Sequence, residues 1–409
     1  MKLRRVWLYS GIVCVFVVLK TSYLVLVEQQ PFQAEPQKPI ISDVIELIVE
    51  DKQLVPTSAL VPFKEVIQTS PWRIVVVTHN RPEMMRRCLE AILPQPGIEK
   101  FDVSISLDDA ESESYVTAAL TELSEKYPNM KNKFKLIIKP SNESKGKEKP
   151  MSQHVFFAFK KLFEGVTEYG ILLEEDLVVS PDFLELMVQS IPIIENDHTL
   201  FCASGWNDNG FLPFASDHKK ILRTDGFPGY GWLVPRRSAK PFLIDKLPGW
   251  VNNWGAWFDG HVRKHNLECI VPEVPRTRHL GGRGVHIKDN SYYDNMTYAT
   301  VLPGQGTFDE SLATMKLEDY DSELMKRVEK SVKVDLQDVI DPDTFKFEPF
   351  TEYLVPIDYK RDCKRLVDPY KLFHVDYCKM THKGLLQVNV PHKQAKILFV
   401  DTVSGKKWL

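Results

Sequence analysis

Three carboxylates stand side by side at Glu174, Glu175 and Asp176, inside the stretch ILLEEDLVVSPDF that covers residues 171–183. Adjacent acids repel, and in a solvated loop such a triplet would carry no chemistry. Its flanks argue for a different setting. Ile171, Leu172 and Leu173 read as a buried strand, and Ser180-Pro181-Asp182 reads as a helix start with proline at the first helical position. The acids then fall at the carboxyl end of a strand, just before a crossover, where α/β sheets bind ligands. An acidic group in that place suits a hard divalent ion held by oxygen, Mg²⁺ or Mn²⁺. Such an ion would neutralise a departing diphosphate, which is what an enzyme using a nucleotide-sugar needs.

The elements that must position the triplet follow from apolar periodicity. Residues 74–77, 103–107, 134–138, 170–174 and 200–203 read as strands. Helical spacing starts at Pro82 and recurs over 115–127, 151–164 and 182–195. Strands alternating with helices predict a mostly parallel sheet covered on both faces, an α/β class. No GxGxxG and no Walker loop occurs, which disfavours dehydrogenases and P-loop enzymes. Beyond about residue 205 the pattern turns irregular and rich in Gly, Pro and Trp, as a loop-built acceptor region would be. Residues 381–402 alternate like strands.

The whole chain sets the compartment. It has 409 residues, 43% hydrophobic and 26% charged, enough for at least one large core. A net charge of −3 gives no reason to expect a nucleic acid partner. Lys2, Arg4 and Arg5 precede an apolar run over residues 6–27, close to the ~20 residues that span a bilayer. Lys20 lies off-centre in that run and can snorkel. No small-x-small cleavage site follows, so the run reads as an uncleaved anchor rather than a signal peptide. The positive-inside rule leaves residues 1–5 in the cytosol and the rest lumenal. Residues 28–70 are dotted with Pro and Gln and read as a stem. Residues 71–300 then form the catalytic domain, with 301–409 its C-terminal part.

A lumenal chain can form disulfides. Cys14 lies in the anchor, and Cys88, Cys202, Cys269, Cys363 and Cys378 make five more. None forms a CxxC, so zinc is disfavoured. Two disulfides and one buried thiol is the simplest allocation, and spacing alone leaves the pairing open. Asn142 and Asn295 head sequons exposed to glycosylation in that compartment.

Four spaced motifs carry a resemblance: LLEEDLVVSPDF, CASGWNDNG, RTDGFPGYGWL and CIVPEVPRT. They resemble, in one order, the β-1,2-N-acetylglucosaminyltransferases that act on mannose, with a fainter echo in HKGLLQVNV. That family includes enzymes acting on N-glycans and on protein O-linked mannose. The resemblance implies a Rossmann-like, GT-A-type nucleotide-sugar transferase fold behind a single transmembrane helix and stem. It implies UDP-GlcNAc as donor, Mn²⁺ as cofactor, a mannose-terminated glycoprotein as acceptor, and a Golgi membrane as location, single-pass type II. By the family's pattern Asp176 is the metal ligand, Glu175 faces the nucleotide, and Glu174 lies toward the transferred sugar. Arg81, Asp108 and His154 match positions that hold the nucleotide. Taken singly, His154 would be an ordinary core histidine, Arg81 a helix-start charge and Asp108 a turn residue; their joint order overrides that. The glycine-rich HLGGRGVH, residues 279–286, resembles the family's mobile loop over the donor. The family also implies a Cys202–Cys269 disulfide; Cys363 and Cys378, close in sequence and otherwise unexplained, are read as a second pair, and Cys88, on the inner face of the first helix, as a free thiol. Two further family cysteines are absent, with His79 and Asp109 in their places.

One position departs from the pattern. The family's proton acceptor is an aspartate soon after a tryptophan, and counting back from Cys269 without gaps puts Gly255 there. Glycine takes no proton, and the nearest carboxylate is Asp259, one helical turn or ~5.4 Å away. Either Asp259 is the base, or the chain is a weak or donor-binding-only member. A nucleotide-sugar hydrolase, activating water instead of an acceptor, is a further alternative.

Overall fold

The protein, seen here as a computed structural model, is described over residues 72–108, 110–140, 149–244, 251, 253–280, 308–373 and 377–409. Strand β1, Trp72–Thr78, is almost continuously apolar because both of its faces are covered. Ile74 and Val76 enter one core, and Val75 and Val77 enter the other. Helix α1 (Pro82–Ile92) follows, with proline at its start and Met85, Cys88, Leu89 and Ile92 buried at helical spacing. Next come β2 (Phe101–Leu107), α2 (Glu113–Lys126), β3 (Phe134–Ile138), α3 (Lys149–Leu162) and β4 (Tyr169–Glu174). After these lie β5 (Leu177–Val179), α4 (Phe183–Gln189), α5 (Ile191–Asn196), β6 (Leu200–Ser204), β7 (Ile221–Thr224) and β8 (Trp232–Pro235). Helices α6 (Arg236–Ile244) and α7 (Trp254–Lys264) lead into β9 (Glu268–Pro272) and β10 (Thr277–His279).

The main sheet has eight strands in the order β3-β2-β1-β4-β8-β6-β9-β7. Strands β3, β2, β1 and β4 are parallel, and only β8 and β7 run against the rest. The expected α/β class with a mostly parallel sheet is therefore observed. Helices α1, α2, α4 and α5 cover one face; α3 and α7 cover the other, around Phe159, Trp232, Phe242 and Phe258. Further along, α8 (Leu317–Lys330), β11 (Val332–Lys333), β12 (Glu352–Ile357), α9 (Tyr359–Tyr370), β13 (Leu385–Val390) and β14 (Ala395–Asp401) build a second sheet, ordered β11-β12-β14-β13. The strand-like alternation near the C-terminus is thus β13 and β14. All described residues belong to one compact unit, Pro56–Leu409.

Three local expectations need correction. The helix expected over 182–195 is two helices, broken at Ser190. Pro192 lacks an N–H and its ring crowds the carbonyl four residues back, so one continuous helix cannot form. Pro181 does not open the helix; Asp182 holds the N-cap position, without a capping hydrogen bond. Its carboxylate is committed elsewhere, to Ser180 Oγ at 2.5 Å and Arg276 Nε at 2.9 Å. The acids also do not lead straight into a crossover, because β5 intervenes and pairs antiparallel with β10.

Cys202 and Cys269 are bridged, facing each other across β6 and β9 with Cα atoms 4.8 Å apart. Cys363 and Cys378 form the second disulfide, and Cys88 is a buried thiol whose ionisation burial opposes. Among the described residues no helix is long and apolar enough to cross a membrane. The expected anchor and stem, both sequons, Asp109 and residues 281–286 of the glycine-rich stretch lie outside the described residues.

Candidate functional site

Parallel pairing brings the carboxyl ends of four strands to one edge. In register, Thr78 of β1 lies beside Leu107 of β2, Leu107 beside Ile138 of β3, and Val77 beside Glu174 of β4. The next residues along each chain therefore converge: His79 and Arg81, Asp108, Lys139, and the acidic triplet. The Glu175 N–H donates to Val77 O at 3.0 Å and extends the ladder by one step.

The triplet divides its three carboxylates among three environments. Glu175 is held hardest: Oε1 accepts from Arg81 Nε at 2.6 Å, and Oε2 accepts from Thr78 Oγ1 and from His79 N. Asp176 Oδ2 accepts from Arg81 Nη2 at 2.8 Å, so one guanidinium bridges both acids. Glu174 receives no such help. Its Oε1 is sealed from solvent with no hydrogen-bond partner. Burial, and next the charge of Asp176, push its carboxyl up to about 8, so it stays protonated at neutral pH.

The β5–β10 pairing adds a residue that periodicity did not find. His279 lies opposite Leu177, which sets its Nε2 3.5 Å from Asp176 Oδ2 with the ring almost wholly buried. Tyr230 packs edge-on against His279, with ring centroids 5.7 Å apart, and also touches Trp206. The only sequence signal for His279 was its place at the head of HLGGRGVH. Its approach to Asp176 depends on antiparallel register between segments a hundred residues apart.

Asp108 forms the centre of a second group. Lys139 Nζ is 3.3 Å from Oδ1, His154 Nδ1 4.0 Å from Oδ1, and His79 Nδ1 3.8 Å from Oδ2. His154 is buried on α3 with Nε2 3.0 Å from Ser106 Oγ, and burial lowers its pKa to about 4, leaving a neutral ring. His79 lies two residues before Arg81, so the two groups are contiguous. Arg81, Glu174, Glu175, Asp176, Asp108 and His154 are thereby gathered at one edge. Thr78, His79 and Lys139 join them without having been singled out.

Asp259 belongs to neither group. Helix α7 runs alongside residues 225–231 in the opposite sense. A Cβ placed on Gly229 would lie 3.6 Å from Trp254, Asp259 Oδ1 accepts from Phe227 N at 2.9 Å, and Arg263 reaches Asp225 at 3.3 Å. Gly229 adjoins Tyr230 and so lies nearest His279. Gly255 is thus at the site end of the helix, and Asp259 is a turn deeper. Asp259 Oδ2 is also paired with Arg263 Nε at 2.9 Å. The first turn of α7 is capped by Asn253, whose side chain accepts from Ala256 N. A Cβ on Gly255 would meet only Asn253 Oδ1, at 3.4 Å.

The donor set fits a divalent ion. Asp176 supplies a carboxylate oxygen and His279 an imidazole nitrogen beside it. Mn²⁺ accepts both donor types, and an ion held by one or two side chains leaves positions for a diphosphate and water. Among the described residues no cluster of three or more His, Cys, Asp or Glu forms an all-protein cage.

The GNT-I family matches residues 23–384. Over 218 residues the chain is 28% identical to the alpha-1,3-mannosyl-glycoprotein 2-beta-N-acetylglucosaminyltransferase of Arabidopsis thaliana. That alignment takes in 52% of this chain and 47% of the relative, so the chain spans about half the length of the curated relative it matches. Among solved structures, the mannosyltransferase PcManGT of Pyrobaculum calidifontis, in complex with GDP-Man and Mn²⁺, aligns at 14% identity and a TM-score of 0.36. It covers 57% of this chain and 64% of that one. TarS of S. aureus (residues 1–349) aligns at 15% identity and 0.32, covering 50% and 58%.

Proposed function

The chain belongs to the GNT-I family, and from that premise we propose that it transfers N-acetylglucosamine from UDP-GlcNAc, in β-1,2 linkage, to a mannose of a glycoprotein. The acceptor in this reading is the α-1,3-mannose arm of an N-glycan, with protein O-linked mannose as the alternative. The fold is read as GT-A type, and the enzyme as a single-pass type II Golgi membrane protein with a lumenal catalytic domain. One observation carries the reading: Arg81 bridges Glu175 and Asp176 at a strand-end edge where Glu174 keeps a buried oxygen without a partner.

Each residue then has a task its surroundings support. Asp176 and His279 would hold Mn²⁺, which when bound supplies positive charge to the diphosphate leaving group. Arg81, fixed through Glu175, brings a second cation to the same edge. Glu174, protonated at neutral pH, can donate a hydrogen bond to the sugar without adding charge beside Asp176. Asp108 and His154 orient the nucleotide. In-line displacement at the anomeric carbon inverts α to β, and the proton of the mannose 2-hydroxyl passes to a carboxylate. Asp259 is the proposed acceptor of that proton, and to act it must leave Phe227 N and Arg263.

A donor-binding member without transfer is the second reading, favoured by Gly255 and by the engagement of both Asp259 oxygens. Incubation with UDP-GlcNAc, Mn²⁺ and a mannosyl acceptor separates the readings. A GlcNAc-bearing acceptor supports the transferase, UDP with free GlcNAc points to a hydrolase, and no turnover leaves the binding member. In the same assay Asp259→Asn abolishes transfer if Asp259 is the base. A silent parent rescued by Gly255→Asp would show a disabled enzyme.

A further inference from the structure

The group around Asp108 holds a residue with no role in that account. Lys139 follows the last residue of β3, and its Nζ lies 3.3 Å from Asp108 Oδ1 with its side chain only 14% exposed. The position is fixed by the backbone, because Lys139 N donates to Leu107 O at 2.8 Å and Asp108 N to Thr78 O at 3.2 Å. At the other carboxylate oxygen stands the imidazole of His79, 3.8 Å from Oδ2, while His154 Nδ1 lies 4.0 Å from the same Oδ1 that Lys139 approaches. Along this edge the protein therefore presents a donor, an acceptor and a donor: ammonium, carboxylate, imidazole.

We propose that Lys139 is a specificity-determining residue of the donor site, pairing with a uracil carbonyl while Asp108 accepts the uracil N3–H. The inference rests on the nucleotide-sugar reading above and deepens it. Uracil presents an acceptor, a donor and an acceptor across O2, N3–H and O4, the complement of the protein's sequence. Cytosine presents an unprotonated N3, whose lone pair would face the Asp108 carboxylate, and an amino group in place of one carbonyl. An adenine or guanine edge meets the same carboxylate with a different pattern and a larger ring. Lys139 has a second consequence at this edge. It neutralises Asp108 before the base arrives, so the carboxylate is kept in place without a ligand and its desolvation on binding costs less.

Binding of UDP and of CDP to the full chain, in the presence of Mn²⁺, tests the proposal by calorimetry. The parent should prefer UDP. Lys139→Met should weaken UDP binding by about 10- to 100-fold, the factor of one hydrogen bond from a charged donor. It should change CDP binding far less, so the preference collapses. Lys139→Arg should restore most of the preference. Equal losses for UDP and CDP would reduce Lys139 to a structural counter-ion, and unchanged UDP affinity would also overturn the inference. If Lys139→Met fails to fold, a Lys139→Arg variant without base preference does the same. A parent that binds neither nucleotide overturns the nucleotide-sugar reading itself, a distinct result.

Discussion

Two buried clusters in this molecule are built from the same residue types and do opposite things. At the strand ends, Glu174, Glu175, Asp176, Arg81 and His279 form a group with oxygen valences left open. Near the start of β9, Arg223, Asp197, Glu268, His382 and Asp321 form a group in which every carboxylate faces an arginine, a lysine or an imidazole. Arg223 is fully buried and bonds Glu268 Oε2, Asp197 Oδ2 and Thr199 Oγ1, each at 2.6 Å. His382 lies between two acids, with Nδ1 2.5 Å from Glu268 and Nε2 2.6 Å from Asp321, and Lys383 and Lys407 close on Asp321. This second cluster ties the main sheet to α8 and to the segment before β13. The two also titrate in opposite senses. Burial opposes ionisation of Glu268, but His382 and Arg223 outweigh it and hold the carboxyl below its usual range. Glu174 has no such partner and is pushed up. A buried carboxylate that is over-supplied with cations is a rivet; one left short is a place for a ligand.

The difference can be broken first at Asp176. Asp176→Asn should cut transfer by roughly a thousandfold or more, the scale of losing a metal-held transition-state charge, while its thermal midpoint stays within a few degrees of the parent. Transfer equal to the parent at saturating Mn²⁺ would remove Asp176 from the site. The reverse experiment is Arg223→Met. Stripping the cation leaves Asp197 and Glu268 buried and unpaired, and about 3–5 kcal/mol of stability should be lost in urea unfolding. The folded fraction should still bind UDP like the parent; selective loss of UDP binding would join the two clusters that the comparison separates.

A smaller effect reads the titration directly. The folded-state pKa of Glu174, about 8, lies above the ordinary carboxyl value near 4.5. The native state therefore holds this proton more tightly than the unfolded chain, and stability is lost as pH rises from about 5 through 8. Glu174→Gln, neutral throughout, should gain on the parent by about 1–3 kcal/mol across that window in chelator. A difference that does not vary with pH would place a charged Glu174 at neutral pH. The smallest effect is expected at the first turn of α7. Gly255→Asp fits beside Asn253 and adds an acid near a helix N-terminus, so stability should change by less than about 1 kcal/mol, in the stabilising direction. A large loss there would mean that the segment at 255 is packed more tightly than its open surroundings indicate.

The sequence by itself determined the strands and helices whose burial is periodic. Residues 134–138 stand as read, and β1, β2, β4 and β6 extend their readings by one to three residues, because a two-sided core writes itself as a run of Val, Ile and Leu. It also placed Glu174–Asp176 at a strand end and, through family resemblance, paired Cys202 with Cys269. The break at Ser190 is written in Pro192, although the apolar spacing continues through it. What periodicity could not carry were contacts made between distant segments. His279 reaches Asp176 through the pairing of β5 with β10, and Lys139 reaches Asp108 through the parallel register of β2 and β3. Asp259 is one turn from Gly255 along the chain, but the antiparallel course of residues 225–231 beside α7 directs its oxygens to Phe227 and Arg263. Local pattern reports which face of an element is buried; which polar group waits across the gap is set by register and crossing of whole elements, and that only the tertiary structure decided.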